Sequence, residues 1–307
     1  MPETFLNHGM GWRPDLPDFR DYIDSTKEVP SKLKNIPNVR SVKKLIEEIG
    51  IEFSKIPRIN IPQKKDLRDN CSPIEDQETL GSCTAHAAVG MIEYYEMKAY
   101  GKFLDASRLF LYKTTRNLLG WTGDTGAYIR TTVAAMTLFG ISPEKYWKYE
   151  IANFDKEPSS FCYAFGQNYQ LLQYYRLDTS GLNQKDLLLK IKVRLAFGMP
   201  VIFGFTVFNS IEQSSQTGEI PYPCSSDTVI GGHAVMAVGY DDKKVIDNKN
   251  CKKVKTQGAI LIRNSWGIDW GEKGYGWLPY DYILNDLAID WWSVIKAEWV
   301  DLGIFGL

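Results

Sequence analysis

The sequence predicts an α+β fold in two lobes, helical in its first half and built from strands in its second. A proline-free stretch rich in Ala, Met, Glu and Tyr predicts a long helix over residues 83–100, and shorter helices are predicted over 129–138 and 183–197. Apolar runs bounded by turn residues then predict strands over 201–208, 234–240, 258–265 and 275–283. Helices followed by strands favour segregated lobes over an alternating α/β sheet. We expect a left lobe over about 66–198 and a right lobe over about 199–300.

Residues 1–60 form a separate N-terminal segment in this prediction. The stretch GWRPDLPDFRDY (11–22) predicts extended chain, because proline fixes its own φ and moves its predecessor out of the α region. A helical apolar period after Ser41 predicts a short helix of about 41–55. Residues 55–65 predict a linker, since two prolines and several lysines interrupt any period. Residues 61–307 then form the main domain.

The composition excludes several classes of protein. A net charge of −1 argues against a nucleic-acid binder, because neutralising phosphates requires a basic surface. No apolar run reaches the roughly 18 residues of a membrane span. The first residues contain no apolar stretch of the kind that predicts a signal peptide. Five cysteines are an odd number, so at least one stays unpaired in oxidising surroundings. We predict neither a metal nor a cofactor.

Cys83 and Gln77 are the first candidates for a catalytic site. Cys83 follows Gly-Ser and begins the long predicted helix, whose N-terminus favours a thiolate, the nucleophilic form of cysteine. Gln77 lies six residues earlier, and its amide can donate to a developing oxyanion together with the Cys83 backbone N–H. Taken alone, a buried structural cysteine and a surface glutamine would be the simpler interpretations.

The chain contains three histidines, and His233 has the setting of a general base. It follows two glycines at the start of an apolar strand, from which it can reach a cleft and exchange protons with a thiol. Asn264 lies at the end of the following predicted strand and can hold the imidazole, while Trp266 can cover that bond from water. His86, three residues after Cys83, is the rival base, but we expect it to lie within the buried face of the helix. We assign no role to His8.

These residues together resemble the papain family of cysteine proteases. QETLGSCTAHA matches the family's nucleophile segment, GGHAVMAVGYDD its histidine segment, and LIRNSWGIDWGEKGYGWLP its asparagine segment. Leu80 stands where the family signature has a first cysteine, and Thr84 where it has an aromatic residue. The resemblance covers about residues 66–295. It implies a helical left lobe, an antiparallel, barrel-like right lobe and an active-site cleft between them.

The resemblance also implies roles for individual residues. Cys83 would be the nucleophile, His233 the base, Asn264 the orienting residue and Gln77 the oxyanion donor. The substrate would be a peptide or protein bound in extended form, with its main preference at the second residue before the cut. We expect the substrate-binding residues to be Gly126, Gly232, Gly204, Ala234 and Trp266, and the small residues among them to leave room for a bulky apolar side chain.

Family members are made as zymogens, and residues 1–60 stand where a prosegment would. We expect this segment to inhibit the enzyme from within the cleft, and the alternative is a permanent structural belt. A zymogen favours secretion or export, although the compartment itself is not predicted, and we expect a monomer. The leading function is an endopeptidase. An exopeptidase or acyl transferase with the same site, or a catalytically silent binding protein, are the alternatives.

Overall fold

The structure is a computed structural model that describes residues 3–5, 7–27, 41–48, 51, 60–169, 173–251 and 254–295. Its helices are α1 (Val42–Glu48), α2 (Cys83–Tyr100), α3 (Arg108–Leu119), α4 (Ile129–Phe139), α5 (Ser160–Gly166), α6 (Gln184–Ala196) and α7 (Tyr280–Leu284). Its strands are β1 (Glu3–Phe5), β2 (His8–Met10), β3 (Lys64–Asp66), β4 (Gln173–Arg176), β5 (Val201–Phe208), β6 (Val229–Asp247), β7 (Lys255–Arg263), β8 (Tyr275–Pro279) and β9 (Ala288–Ile295).

Helices α2 to α5 form one half of the molecule, and an antiparallel sheet forms the other. The described strands of this sheet run in the order β4-β9-β5-β6-β7-β8, and β3 pairs with β6 as well. Helix α2 packs on β6 and β5, which places its first turn against the sheet. The predicted α+β fold in two lobes is therefore confirmed.

Helix α2 is long because its sequence contains no proline and only one glycine. It ends at Gly101, whose φ of 65° is left-handed and stops the helix at little steric cost. Helix α6 begins at Asn183, whose side chain accepts the Asp186 backbone N–H at 2.9 Å, as an N-cap does. These local signals account for the agreement between predicted and observed helices here.

Several elements differ from the sequence prediction. Residues 275–283 are not one strand, because β8 ends at Pro279 and α7 follows. Helix α3 was not predicted, since buried cations such as Arg108 and Arg116 interrupt its apolar period. The helix expected over 41–55 is α1, and most of its second half lies outside the described residues. The sheet includes β4, although the predicted lobe boundary near 198 had put those residues in the helical half.

The polar stretch 241–257 extends an existing hairpin. Strand β6 continues to Asp247, and its pairing with β7 reaches Lys255. Cys224 and Cys251 form a disulfide, while Cys71, Cys83 and Cys162 are free thiols. Among the described residues, no helix is long and apolar enough to cross a membrane.

Candidate active site

Cys83 is the first residue of α2, and its side chain is fully buried. The backbone N–H groups of Ala234, Gly11 and Thr84 face its sulfur and favour the thiolate. Burial nevertheless raises the pKa of the Cys83 thiol to about 11, because the cost of removing a thiolate from water exceeds what these N–H groups offset. In this closed arrangement the thiol is therefore neutral.

His233 lies on β6 directly before Ala234, and its Nε2–H donates to Asn264 Oδ1 at 2.8 Å. The same oxygen accepts the Ser265 backbone N–H at 2.8 Å, which fixes the amide. Trp266 stacks on the imidazole with ring centroids 4.7 Å apart, as expected of a residue that shields this bond from water. Burial lowers the pKa of His233 to about 4, although the bond to Asn264 opposes that shift.

The second ring nitrogen of His233, Nδ1, has no hydrogen-bond partner within the described part of the chain. Since Nε2 is committed to Asn264, Nδ1 is the nitrogen left to take a proton. The N–H of the next residue, Ala234, faces the Cys83 sulfur. The thiol therefore lies beside the residue that directly follows His233 in β6. The structure thus brings Cys83, His233 and Asn264 together in one buried site.

Gln77 lies on the other side of the same site. Its Nε2 donates to the carbonyl oxygens of Gly9, at 2.7 Å, and Leu80, at 2.8 Å. Its Oε1 accepts the hydroxyl of Ser265, the residue after Asn264. The amide is therefore held in one orientation, with its donor directed at a peptide carbonyl in the cleft.

His86 is also buried, but its position differs from that of His233. Its Nδ1 lies 3.1 Å from the carbonyl oxygen of Ser82, in the preceding turn. Burial lowers the pKa of His86 to about 3, and the nearby Arg108 adds to the shift. The expectation that His86 lies within the buried face of α2 agrees with this environment.

Residues 8–13, which we call the cleft segment, lie across the site. Trp12 pairs with Ala127 in parallel: Ala127 N–H donates to Gly11 O at 2.8 Å, and Arg13 N–H donates to Ala127 O at 3.0 Å. On the other wall, Trp12 N–H donates to Gly232 O at 3.2 Å. An extended chain is thus held between the two lobes, beside Cys83.

Close approach of this segment depends on glycines. A Cβ on Gly11 would lie 1.8 Å from the Gly81 carbonyl oxygen, and one on Gly9 would lie 2.4 Å from Leu80 backbone atoms. Gly126, with a φ of 72°, would carry a Cβ 2.1 Å from Gly11 O. Gly126 therefore provides the space, and its neighbour Ala127 makes the backbone pairing with the cleft segment.

Residues 15–24, which we call the belt, continue from the cleft segment over the surface. Asp24 accepts a hydrogen bond from Arg194 at 2.7 Å, and both side chains are buried. Arg130 contacts Asp15 and donates to Asp21 at 2.8 Å. The belt is thus attached through ion pairs to side chains of both halves of the molecule.

Several residues that line this site were not predicted from the sequence. His8 stacks on Trp266 with centroids 5.6 Å apart and places Nδ1 3.2 Å from Asp76 Oδ1. Trp12 fills a side-chain pocket whose end is Asp290. The available signals were the alternate glycines of HGMGW, which allow close backbone approach, and an aspartate inside the apolar strand AIDWW.

A buried thiol at a helix N-terminus, beside an imidazole held by an asparagine, defines the class of thiol-dependent hydrolases. Residues 61–286 match the family model of the papain family cysteine proteases. The chain belongs to this family and is a cysteine-type peptidase, a hydrolase.

Several relatives resemble the chain over different lengths. It is 33% identical to an uncharacterized peptidase C1-like protein of Acanthamoeba polyphaga mimivirus, over 96% of this chain and 89% of that one. It is 26% identical to the thiol protease aleurain of Arabidopsis thaliana, over 72% of this chain and only 56% of that one.

Solved structures resemble it as well. Xylellain, a cysteine protease from Xylella fastidiosa, superposes with a TM-score of 0.71 at 33% identity and covers 96% of this chain and 100% of its own. Bromelain from Ananas comosus, at 21% identity and a TM-score of 0.56 over 76% of this chain and 99% of its own, shares the fold.

Proposed function

We propose that this peptidase is an endopeptidase that works through a thioester acyl-enzyme, with Cys83 as nucleophile and His233 as general base. The observation that carries the proposal is the proximity of Cys83, His233 and Asn264. Cys83 begins α2, the N–H beside His233 reaches its sulfur, and the imidazole is bonded to Asn264 at 2.8 Å. In this proposal all these groups act within one chain, as a monomer.

Each group has a role in the reaction. His233 Nδ1 takes the Cys83 proton, and the sulfur attacks the carbonyl carbon of the peptide bond. The Gln77 amide and the Cys83 backbone N–H stabilise the oxyanion that forms. The imidazolium then gives its proton to the leaving amine, and the thioester remains. Water, deprotonated by His233, hydrolyses the thioester and restores the thiol.

The course of the cleft segment favours an endopeptidase over an exopeptidase. It contacts Trp266 through His8 at one end and Thr125 through Arg13 at the other, with Gly11 beside Cys83 between them. Chain therefore fits on both sides of the thiol.

We also propose that the N-terminal segment keeps the enzyme inactive until it is displaced. The cleft segment pairs in parallel with Ala127, and a substrate would pair with the same edge in the opposite direction. The Gln77 amide donates its hydrogen bond to the Gly9 carbonyl oxygen, and the Gly232 carbonyl oxygen accepts the Trp12 N–H. The segment thus uses the hydrogen-bonding groups that a substrate would need. Its own chain runs in the opposite direction to a substrate, so its peptide bonds are not oriented for attack.

The test uses the full chain with Trp12→Ala, which loosens the cleft segment. In this background Cys83→Ser and His233→Ala should abolish cleavage of internal bonds in a peptide, read by mass spectrometry. His86→Phe and Cys71→Ser are the matched controls and should retain cleavage. Loss of activity in the His86 variant with retention in the His233 variant would contradict the assignment of the base.

The zymogen proposal has its own test. Full-length protein is compared with protein cut within residues 55–65, at equal concentrations of reactive Cys83. Cutting should raise the rate of peptide cleavage while the main domain stays folded by circular dichroism. A full-length chain that is already as active as the cut one, and a cut chain that unfolds, would establish the N-terminal segment as a structural belt.

A further inference from the structure

The Trp12 side chain fills a pocket that glycines create in the sheet. Its indole lies against Gly204, where a Cβ would come within 1.9 Å of Cε2, and against Gly232, where a Cβ would come within 2.8 Å of Cε3. Trp12 is 6% exposed, so the pocket encloses nearly the whole side chain. The bulky-side-chain pocket expected beside Gly204 therefore exists, and here its occupant belongs to the chain itself.

The end of this pocket is polar. Trp12 Nε1 donates to Asp290 Oδ2 at 3.0 Å, and the Asp290 side chain has no solvent exposure. The other oxygen, Oδ1, accepts from Trp292 Nε1 at 2.7 Å and lies 3.4 Å from Arg176 Nη1. Among the described residues, Trp12 is thus the hydrogen-bond donor to Asp290 Oδ2.

The charge of Asp290 is only partly compensated. Arg176 directs Nε and Nη2 to the two oxygens of Asp178, at 3.0 Å each, and its Nη1 also lies 3.9 Å from Asp21. Asp290 and Asp178 therefore share this one guanidinium, while Asp21 is paired with Arg130 at 2.8 Å. When a side chain without a donor takes the place of Trp12, Oδ2 becomes a buried acceptor without a partner, which is unfavourable, above all for a charged group.

We propose that Asp290 makes this pocket selective for substrate side chains that carry an N–H donor at the end of an apolar body, such as tryptophan and arginine. Phenylalanine and leucine fill the apolar part but leave Oδ2 unpaired, so they bind less well. Tryptophan repeats the contact of Trp12, and arginine adds a positive charge beside Asp290, which shares the Arg176 guanidinium with Asp178. The inference rests on the proposed function, because it assumes that substrate occupies the path of the cleft segment.

The experiment uses the full chain with Trp12→Ala and four peptide coumarylamides, acyl-X-Arg-coumarylamide, in which X is Trp, Phe, Arg or Leu. Values of kcat/KM are compared at pH 8, since burial raises the pKa of Asp290 to about 7 and the group is ionised above that. Asp290→Asn and Asp290→Gly are added to this background. Asp290 has a φ of 64°, which asparagine and glycine both tolerate.

With Asp290 present, we expect Trp over Phe and Arg over Leu by roughly tenfold or more, the value of a buried hydrogen bond to a charged group. Asp290→Gly should reduce both ratios to about one by removing the acceptor. Asp290→Asn should reduce the Arg-to-Leu ratio and largely keep the Trp-to-Phe ratio, because the amide oxygen still accepts. Should the Gly variant fail to fold, the Asn variant alone decides. Ratios that do not respond to either substitution would overturn the inference.

Failure of the proposed function is distinguishable from failure of this inference. Cys83→Ala in the Trp12→Ala background binds peptide without cleaving it, and calorimetry gives Kd for acyl-Trp-Arg and acyl-Phe-Arg amides. If none of the four substrates is cleaved, yet the Trp peptide binds roughly tenfold tighter and only with Asp290 present, the pocket inference holds and the endopeptidase proposal fails. Equal affinities for the two peptides would overturn the pocket inference independently of catalysis.

Discussion

The cleft segment and the belt are consecutive in the chain but are held by different forces. The cleft segment is bound by backbone hydrogen bonds, close glycine contacts and one indole, all of which a peptide substrate can replace. The belt also accepts a backbone hydrogen bond, from Arg176 N–H to Tyr22 O at 2.7 Å, but it is bound in addition by ion pairs to cations such as Arg194, which has no exposed surface. The difference indicates that displacement of the cleft segment and loss of the belt are separate events, the first tied to activity and the second to stability.

The largest expected effect is on stability and concerns the belt. Asp24→Asn removes the charge that Arg194 and Lys190 share, at 2.7 and 3.1 Å. Because an uncompensated buried cation remains, the free energy of unfolding should fall by about 3–5 kcal/mol. Denaturant titration measures this, and peptidase activity should not rise. Asp18→Asn, in the exposed pair with Arg20, is the control and should leave the midpoint unchanged. Activation by Asp24→Asn without loss of stability would mean that the two regions act as one.

The next effect is on the reactivity of Cys83. In the closed chain the thiol is neutral below its raised pKa of about 11, and the imidazole is neutral above its lowered pKa of about 4. Trp12→Ala should admit water, which lowers the thiol pKa and raises that of His233. Alkylation of Cys83 by iodoacetamide at pH 6 should then be faster by roughly a hundredfold, as a fall of two pKa units implies.

Mass spectrometry of Cys162 in the same samples provides the control for alkylation, because this buried thiol lies on α5, away from the cleft. Its labelling should stay slow in both proteins. Equal labelling rates of Cys83 with and without Trp12 would show that the cleft segment does not control the thiol.

A smaller effect is expected from tightening the contact beside Cys83. In Gly11→Ala the new Cβ meets Gly81 backbone atoms at 1.8 Å, and backbone cannot move aside as a flexible side chain can. The cleft segment should lift, and peptide cleavage by the full chain should rise by roughly tenfold, equivalent to about 1.4 kcal/mol of lost contact. Phe19→Ala, at a belt residue that is 96% exposed, serves as the control without effect. Unchanged cleavage in the glycine variant would argue that displacement requires the belt to leave too.

The smallest effect is expected at the end of the cleft segment. His8→Ala removes the stacking on Trp266 and the contact with Asp76, whose side chain is 45% exposed. Exposed pairs of this kind contribute about 0–1 kcal/mol, so cleavage by the full chain should rise at most about fivefold. Asp76→Asn should give a similar increase. A gain that equals that of Trp12→Ala would place the main anchor at His8 and not in the Trp12 pocket.

The candidate residues that lie in continuous motifs could be predicted from the sequence. Cys83 begins α2 as expected, because Gly and Ser precede a proline-free run. His233 and Asn264 lie on β6 and just beyond β7, and the observed bond between them agrees with the predicted orienting role. Helix α3 could not be predicted from apolar periodicity, since its buried Arg116 pairs with Asp155, 39 residues away.

The sequence by itself determined the α+β class, the family resemblance and the residues proposed to carry thiol chemistry, because these follow from local periodicity and from motifs of adjacent residues. Only the tertiary structure decided what occupies the cleft. Trp12 and Asp290 are 278 residues apart, and neither has a local pattern that identifies the other. Their contact exists because β9 pairs with β5 at the glycine of the pocket, Gly204, and because an N-terminal strand crosses the same place. Such a juxtaposition of distant segments is a property of the folded chain alone.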